Sequence, residues 1–244
     1  MIIKTRNQSF SSLNILITFF IIAVTFFINC GGNSSSKIVV SPDFKKHPLI
    51  NAALGLVIQD EKPLVIYNGN VQRALGDGNT EELIRGFFQK QLLSDISKEV
   101  DIKETFALSA PANYLLTKKE VEFAEEDFTI VFPIEKTKID FGSNRADLVL
   151  FLSNIRLGTE TAEYYHSRVD HGINTTVGRH LIYISNFVLW DNRIGSYICY
   201  GRVKSRVPIR TAEESVITEW EEVSRQFVRT IFEPTGFLKR ARNR

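Results

Sequence analysis

Apolar residues recur along the chain in three rhythms, and each predicts a different kind of element. Leu13–Ile28 (LNILITFFIIAVTFFI) has no rhythm and is one unbroken greasy run. A second set recurs at steps of three and four. Ile84, Phe87, Phe88, Leu92 and Ile96 follow it, as do Val216, Trp220, Val223, Phe227 and Ile231. That spacing predicts two helices, each with one buried face. Asn79, with Glu82 three places on, gives the first helix a capping-box-like start. The second is expected from about Ala212 to Phe232, closed by Pro234 and Gly236.

The third rhythm is alternation or a short apolar run, which predicts strands. Pro63–Tyr67 (PLVIY), Thr105–Ser109 and Phe128–Ile134 read this way. Asp147–Leu157 is apolar on both faces in its first half, as in a central strand. His180–Asp191 and Ser196–Val207 flank Asn192-Arg193-Ile194-Gly195, and two β-rich runs around such a loop predict a hairpin. In its first arm Leu181, Tyr183, Phe187 and Leu189 share one face, and Ile182, Ile184, Val188 and Trp190 share the other. In the return arm Tyr197, Cys199, Val203 and Val207 point one way, and Arg202, Lys204 and Arg206 the other. Short helices are expected near Asn51–Ile58 and Tyr114–Phe123. Asn68–Asn79 (NGNVQRALGDGN) is a glycine-punctuated loop. Residues 63–109 therefore read as a β-α-β unit, whose crossover normally joins parallel strands. The expected fold is α/β (or α+β): a mixed sheet with a β-α-β unit, a long C-terminal hairpin and a closing amphipathic helix.

Charge changes the meaning of the greasy run. Lys4 and Arg6 precede it, and no charge follows until Lys37. A span usually takes about 20 apolar residues, so Leu13–Ile28 is short for one. A basic start, a short apolar stretch and then small polar residues form the layout of a secretory signal. The stretch Phe26–Ser36 (FFINCGGNSSS) resembles a bacterial lipobox, in which a cysteine after the apolar segment receives diacylglycerol and becomes the mature N-terminus. Phe27 and Asn29 replace the smaller residues usual there. The alternative is an uncleaved signal anchor with an incidental cysteine. By this resemblance, residues 1–29 are a signal peptide, Cys30 is lipidated and residues 30–36 are a flexible tether. Residues 37–244 are then one domain with a basic tail. Gly31, where inner-membrane lipoproteins often carry Asp, implies the outer membrane rather than the inner.

Losing Lys4 and Arg6 takes the 30 basic residues to 28, level with the 28 acidic ones. A neutral mature chain argues against nucleic acid. With Cys30 acylated only Cys199 is left, which excludes an intramolecular disulfide; alternation along its strand predicts a small buried hydrophobe. Leu189, Asp191, Gly195 and Gly201 fit the outline L-x-D-x3-G-x5-G of a hairpin before a closing helix. That outline resembles the small α/β domain of curli-secretion and TolB amino-terminal-type envelope lipoproteins. It implies a body over about residues 60–233 that acts by binding and assembly.

Candidate chemistry is sparse. The glycines of Asn68–Asn79 match neither a dinucleotide fingerprint nor a Walker loop, so no cofactor is expected. Gly158–Arg179 gathers His166, Ser167, Asp170 and His171, but it has no G-x-S-x-G elbow and too few ligands for zinc. It reads as a polar loop, or as an extension of the preceding strand from Thr161 to Val169. His166, Asp170 and His171 are candidates for a binding surface. So are Arg202, Lys204 and Arg206, which alternate with Arg210 onto one side of the hairpin and suit anionic headgroups or an acidic partner. The leading expectation is a membrane-anchored envelope lipoprotein that binds an envelope protein partner without catalysing a reaction. The alternatives are an envelope hydrolase with its site near His166–His171, and a carrier of a small apolar ligand in a cleft between sheet and helices.

Overall fold

The computed structural model describes residues 35–45, 52–60, 64–66, 80–111, 115–123, 126–168, 172–209 and 216–239. The signal segment, Cys30 and the tether to Ser34, the glycine loop 68–79, Asp170, His171, Arg210 and the tail from Arg240 lie outside these residues. In chain order the elements are β1 (Ser35–Val40), β2 (Ala53–Ile58), β3 (Leu64–Ile66), α1 (Thr80–Glu99), β4 (Glu104–Leu108), β5 (Leu116–Phe123), β6 (Glu126–Pro133), β7 (Leu148–Arg168), β8 (Gly172–Asp191), β9 (Ser196–Pro208) and α2 (Val216–Phe232).

The main sheet runs β1-β9-β8-β7-β2-β4, with β3 pairing further along β7. β2 is parallel to both β4 and β7, while along β1, β9, β8 and β7 each strand is antiparallel to the next. The sheet is therefore mixed, with a β-α-β unit, a long hairpin and a closing helix. The parallel partner of β4 is β2, however, not the strand at Leu64–Ile66. β2 is also the segment where a helix was expected. Its run ALGLVI is apolar on both faces, with Leu54 and Leu56 buried on one side and Val57 on the other. A central position between two parallel neighbours satisfies both its backbone edges and both its apolar faces, which a short helix could not do.

Two cores sandwich the sheet. On one face, α1 (Phe88, Leu92, Ile96) and α2 (Trp220, Val223, Phe227, Ile231) cover Leu54, Leu56, Leu150, Tyr183, Phe187, Leu189 and Val203. The layer is filled by rings: Tyr183 lies 4.2 Å from Phe227, and Phe88 lies 4.8 Å from Trp220 and 5.5 Å from Tyr183. On the other face the antiparallel pair β5–β6 lays Val121, Phe128, Ile130 and Phe132 over Val57, Val149, Phe151, Val188, Trp190 and Tyr200. β5 replaces the helix expected at Tyr114–Phe123. Its inward residues Lys119 and Val121 alternate with outward Lys118, Glu120 and Glu122, a two-residue period that suits one covered and one wet face.

Two bulges set the faces of the long strands. Leu189 pairs with Cys199 and Trp190 with Tyr197, so Ile198 is an extra residue in β9. The alternation shifts there by one. Ile198 joins Cys199 in the helix-side core, and Tyr197 moves to the opposite face beside Tyr200. That corrects the expectation that Tyr197 and Cys199 share a face. In β7 the register slips between Ser153 and Arg156, and Asn154 has φ 51°. The Asp60 carboxylate accepts from the Asn154 and Ile155 amides at 3.0 and 2.7 Å. These are two donors that the bulge removes from the ladder. Beyond Glu160–His180, β7 and β8 continue as a paired ribbon where a polar loop was the first expectation. β1 begins at Ser35, two residues inside the expected tether, because its backbone pairs with Lys204–Cys199 of β9.

Candidate functional site

The six candidate binding residues in the body separate into two places. His166 lies on β7 opposite Asn174 in the ribbon, while Asp170 and His171 are outside the described residues. Arg202, Lys204 and Arg206 lie on β9 at the levels of Asn186, Ile184 and Ile182. Lys204 and Arg206 reach Glu160 on β7. His166 is six residues further along that strand, on the order of 20 Å at the usual rise. The structure brings the basic trio together and leaves His166 apart from it.

Within the trio the alternation holds: all three face away from the helices. Only two are near water. Arg202 is buried, with its guanidinium 5.0 Å from the centre of the Phe128 ring, a cation–π stack. The Lys204 ammonium lies 2.6 Å from Glu160 Oε2, and Arg206 lies 3.9 Å from Oε1. Both are about a quarter to a third exposed, so the network stabilises by at most about 1 kcal/mol. His180 is opposite Glu160 on the same face. Burial, then Arg206, lower its pKa from the ordinary value, against a smaller opposing pull from Glu160. Glu160 thus pairs with two of the three cations, and Cys199 is a buried residue whose thiol pKa burial pushes up.

A second surface lies at the turn end of the β8–β9 hairpin. The turn is held by Asp191, whose backbone carbonyl accepts from the Gly195 amide at 2.8 Å and whose carboxylate grips the Arg193 guanidinium at 2.6 and 2.9 Å. That hydrogen bond raises the Arg193 pKa. Gly195 has φ +70°, and a Cβ there would stand 2.9 Å from the backbone of Lys136 and Thr137. Its own carbonyl accepts from the Lys136 amide at 2.6 Å. Asn192 completes the seam: its amide nitrogen donates to the carbonyls of Ile139 and Ala146, and its oxygen accepts from the Ile139 amide at 2.7 Å. Ile134 in turn donates to the Leu115 carbonyl at 3.2 Å. These bonds place Ile194, Ile134, Leu115 and Leu116 at one end of the body, 67%, 41%, 69% and 45% exposed.

Beside this end is an open groove of about 740 Å³, lined on one side by Leu108–Pro111 and on the other by Thr137–Phe141. Its floor is Leu108, Ile139 and Phe141, with Lys138, Asp140 and Asn144 at the rim. Behind it, the Lys119 ammonium sits 4.6 Å from the Tyr197 ring centre, 5.1 Å from Phe132 and 5.2 Å from Tyr200. A contact of this kind, from a half-buried lysine on β5 to two rings of β9, helps pin the β5–β6 layer to the sheet. Sequence reasoning missed this end because Leu115 and Leu116 were assigned to a helix. The available signal was Ile194, an aliphatic residue at a hairpin turn where polar residues are usual.

Among the described residues, no group of three His, Cys, Asp or Glu stands close enough to hold a metal ion, and no helix is long and apolar enough to cross a membrane. No protein-family model and no curated protein matches the chain. Among solved structures, a PelC dodecamer from Paraburkholderia phytofirmans is 10% identical, with a TM-score of 0.32 over 85% of this chain and 100% of that one. A neuraminyllactose-binding hemagglutinin homolog from Helicobacter pylori is 10% identical, with a TM-score of 0.35 over 80% and 91%. A PDZ domain protein from Parabacteroides distasonis is 10% identical, with a TM-score of 0.27 over 90% of this chain and 40% of that one. Likenesses this distant leave the functional reading to the chain's own residues.

Proposed function

We propose that the chain is a bacterial envelope lipoprotein, tethered through a lipid on Cys30, whose α/β body works as a binding or assembly component rather than as a catalyst. The observation that carries this reading is Phe26–Ser36, where a charge-free apolar run ends at one cysteine and turns small and polar at once. A thioether-linked diacylglycerol plus an amide-linked acyl chain would hold the body at a bilayer, since two chains already suffice for stable anchoring. Gly31 after the cysteine supports the outer membrane over the inner.

Two features of the body support binding. The turn end exposes aliphatic residues beside an open groove, the kind of surface that recognition uses. The layer between sheet and helices, where an apolar ligand would have been carried, is filled by Tyr183, Phe88, Trp220 and Phe227. Metabolic labelling with a fatty acid tests the anchor. The native chain should incorporate it, and Cys30→Ala should accumulate as a longer, unlabelled precursor. Equal labelling and mobility of the two chains would defeat the reading.

A further inference from the structure

We infer that the sheet face around Ile184, flanked by Arg156 and Lys204 and closed at one end by Arg202, is a binding site for a phosphate group. The site stands whether or not a lipid holds the chain. Arg156 points to it. Ile155 and Leu157 are buried under the helices, so alternation turns Arg156 to the opposite face. There it is partly buried, and its Nε is enclosed with no hydrogen-bond acceptor. Among the described residues no carboxylate meets its guanidinium. A cation drawn partly out of water is costly until an anion reaches it.

The strand register supplies the other donors. Arg156 on β7 and Lys204 on β9 are both opposite Ile184 of β8, so their backbones stand about 10 Å apart. Two residues toward the turn, buried Arg202 is held over Phe128, and Lys37 of β1 is opposite it. Beside Arg202, Asn186 is 1% exposed and its Oδ1 is enclosed with no donor, while its nitrogen donates to the Thr129 carbonyl at 3.3 Å. A hydroxylated phosphate suits both kinds of group, because its oxygens accept from the cations and its hydroxyl donates to Asn186. Donors on opposite sides of a gap fit a tetrahedral anion better than a planar carboxylate, which one fork already satisfies. The acids nearby are few or turned away. Glu160 lies in the strip, bonded to Lys204 at 2.6 Å and 3.9 Å from Arg206. The Asp60 carboxylate is taken by the Asn154 and Ile155 amides. Exposed Glu122 and Asp127 alternate with buried Val121 and Phe128, so they stand on the outer side of the β5–β6 layer. Ser35 is opposite Lys204. Under the proposed anchoring the tether therefore leaves the body beside this site, with Cys30 at most about 18 Å from Ser35. A headgroup phosphate of that bilayer is one source of the ligand and a free phosphate is the other.

The full chain in nonionic detergent is titrated with inorganic phosphate near neutral pH and followed by phosphorus NMR. The native chain is expected to bind it saturably, and Arg156→Gln to weaken binding about ten-fold or more through loss of a charge-assisted contact. Glu160→Gln should tighten binding, because Lys204 and Arg206 lose the carboxylate that competes for them. A merely structural role for this strip would weaken binding in both variants. Lys204→Gln gives a second reading, and the urea midpoint of each variant shows that it folds. Displacement of the phosphate at lower concentration by glycerophosphoglycerol, a water-soluble headgroup diester, supports the site and assigns it a lipid headgroup. Preference for inorganic phosphate supports the site and assigns it a free ligand. Shifts that never saturate, equal affinity in native and Arg156→Gln chains, or weaker binding in Glu160→Gln would overturn the inference. Binding of poly-glutamate without phosphate would also overturn it, by giving the strip to an acidic protein. Acyl mass at Cys30 is read separately, so each of these failures leaves the anchor standing.

Discussion

Gly201→Ala is expected to loosen β1, the strand through which any tether must hold the body. Gly201 pairs with Ile38, and an added Cβ would collide with the Lys37 carbonyl and come within 3.0 Å of Ile38 Cα. Those atoms are backbone, so no side chain can swing aside; the strand itself must shift. Holding β1 in place against such overpacking costs about 1–3 kcal/mol. Releasing it forfeits the half-burial of Ile38 and Val39, about 1 kcal/mol each, and several ladder hydrogen bonds at about 1 kcal/mol net apiece. Release also returns backbone entropy of about 1–2 kcal/mol per residue. The two routes are close in cost, and fraying of a strand at the edge of the sheet needs no wider rearrangement. Denaturant unfolding should fall by about 1–3 kcal/mol. Amide exchange should quicken more than ten-fold in Ser36–Val40, while Phe227 and Ile231 in α2 keep their protection. Unchanged exchange in β1, or loss spread evenly through both cores, would refute the reasoning.

Other outcomes follow from the same geometry. Gly195→Ala forces a left-handed residue, about 1–2 kcal/mol, and adds a backbone clash, so its unfolding midpoint should drop by more than that of Gly86→Ala, whose Cβ meets nothing within 4 Å. Phe227→Ala removes a fully buried ring and should cost about 3–5 kcal/mol in urea unfolding. His180 has a lowered pKa when folded, so the unfolded chain takes up its proton first. Stability should therefore fall as pH drops below 6.5 toward the folded value, with a slope of at most about 1.4 kcal/mol per pH unit from this group. His180→Gln should remove that part of the slope. Asp60→Ala strands the Asn154 and Ile155 amides and should cost about 1–3 kcal/mol, with Asp60→Asn retaining part of it. A null effect in urea unfolding would show that water replaces the carboxylate.

The sequence was most legible where one physical signal dominated. Helix periodicity located α1 and α2 because their buried faces are broad and continuous. The two faces of β8 follow from unbroken alternation, since both are covered. Tyr197 was misplaced because a single extra residue at Ile198 inverts the pattern, and no local signal marks that bulge. β2 was misread because a run apolar on both sides suits a buried helix or a central strand equally; only pairing with strands 50 and more residues away decides it. The turn-end surface was hidden for a related reason. It is assembled from residues far apart in sequence, joined by side chains such as Asn192 whose partners lie 53 and 46 residues back. The outline of Leu189, Asp191, Gly195 and Gly201 did have a physical basis: a turn carboxylate, a left-handed glycine and a close backbone approach.

The central claim is a covalent lipid on one sulfur, and the mass of the N-terminal peptide from the protein's own cells tests it most directly. A mature chain beginning at Cys30, heavier than its residues by a diacylglycerol and an acyl group, is the predicted result. A peptide that still carries residues 1–29, or a Cys30 of unmodified mass, would contradict the account.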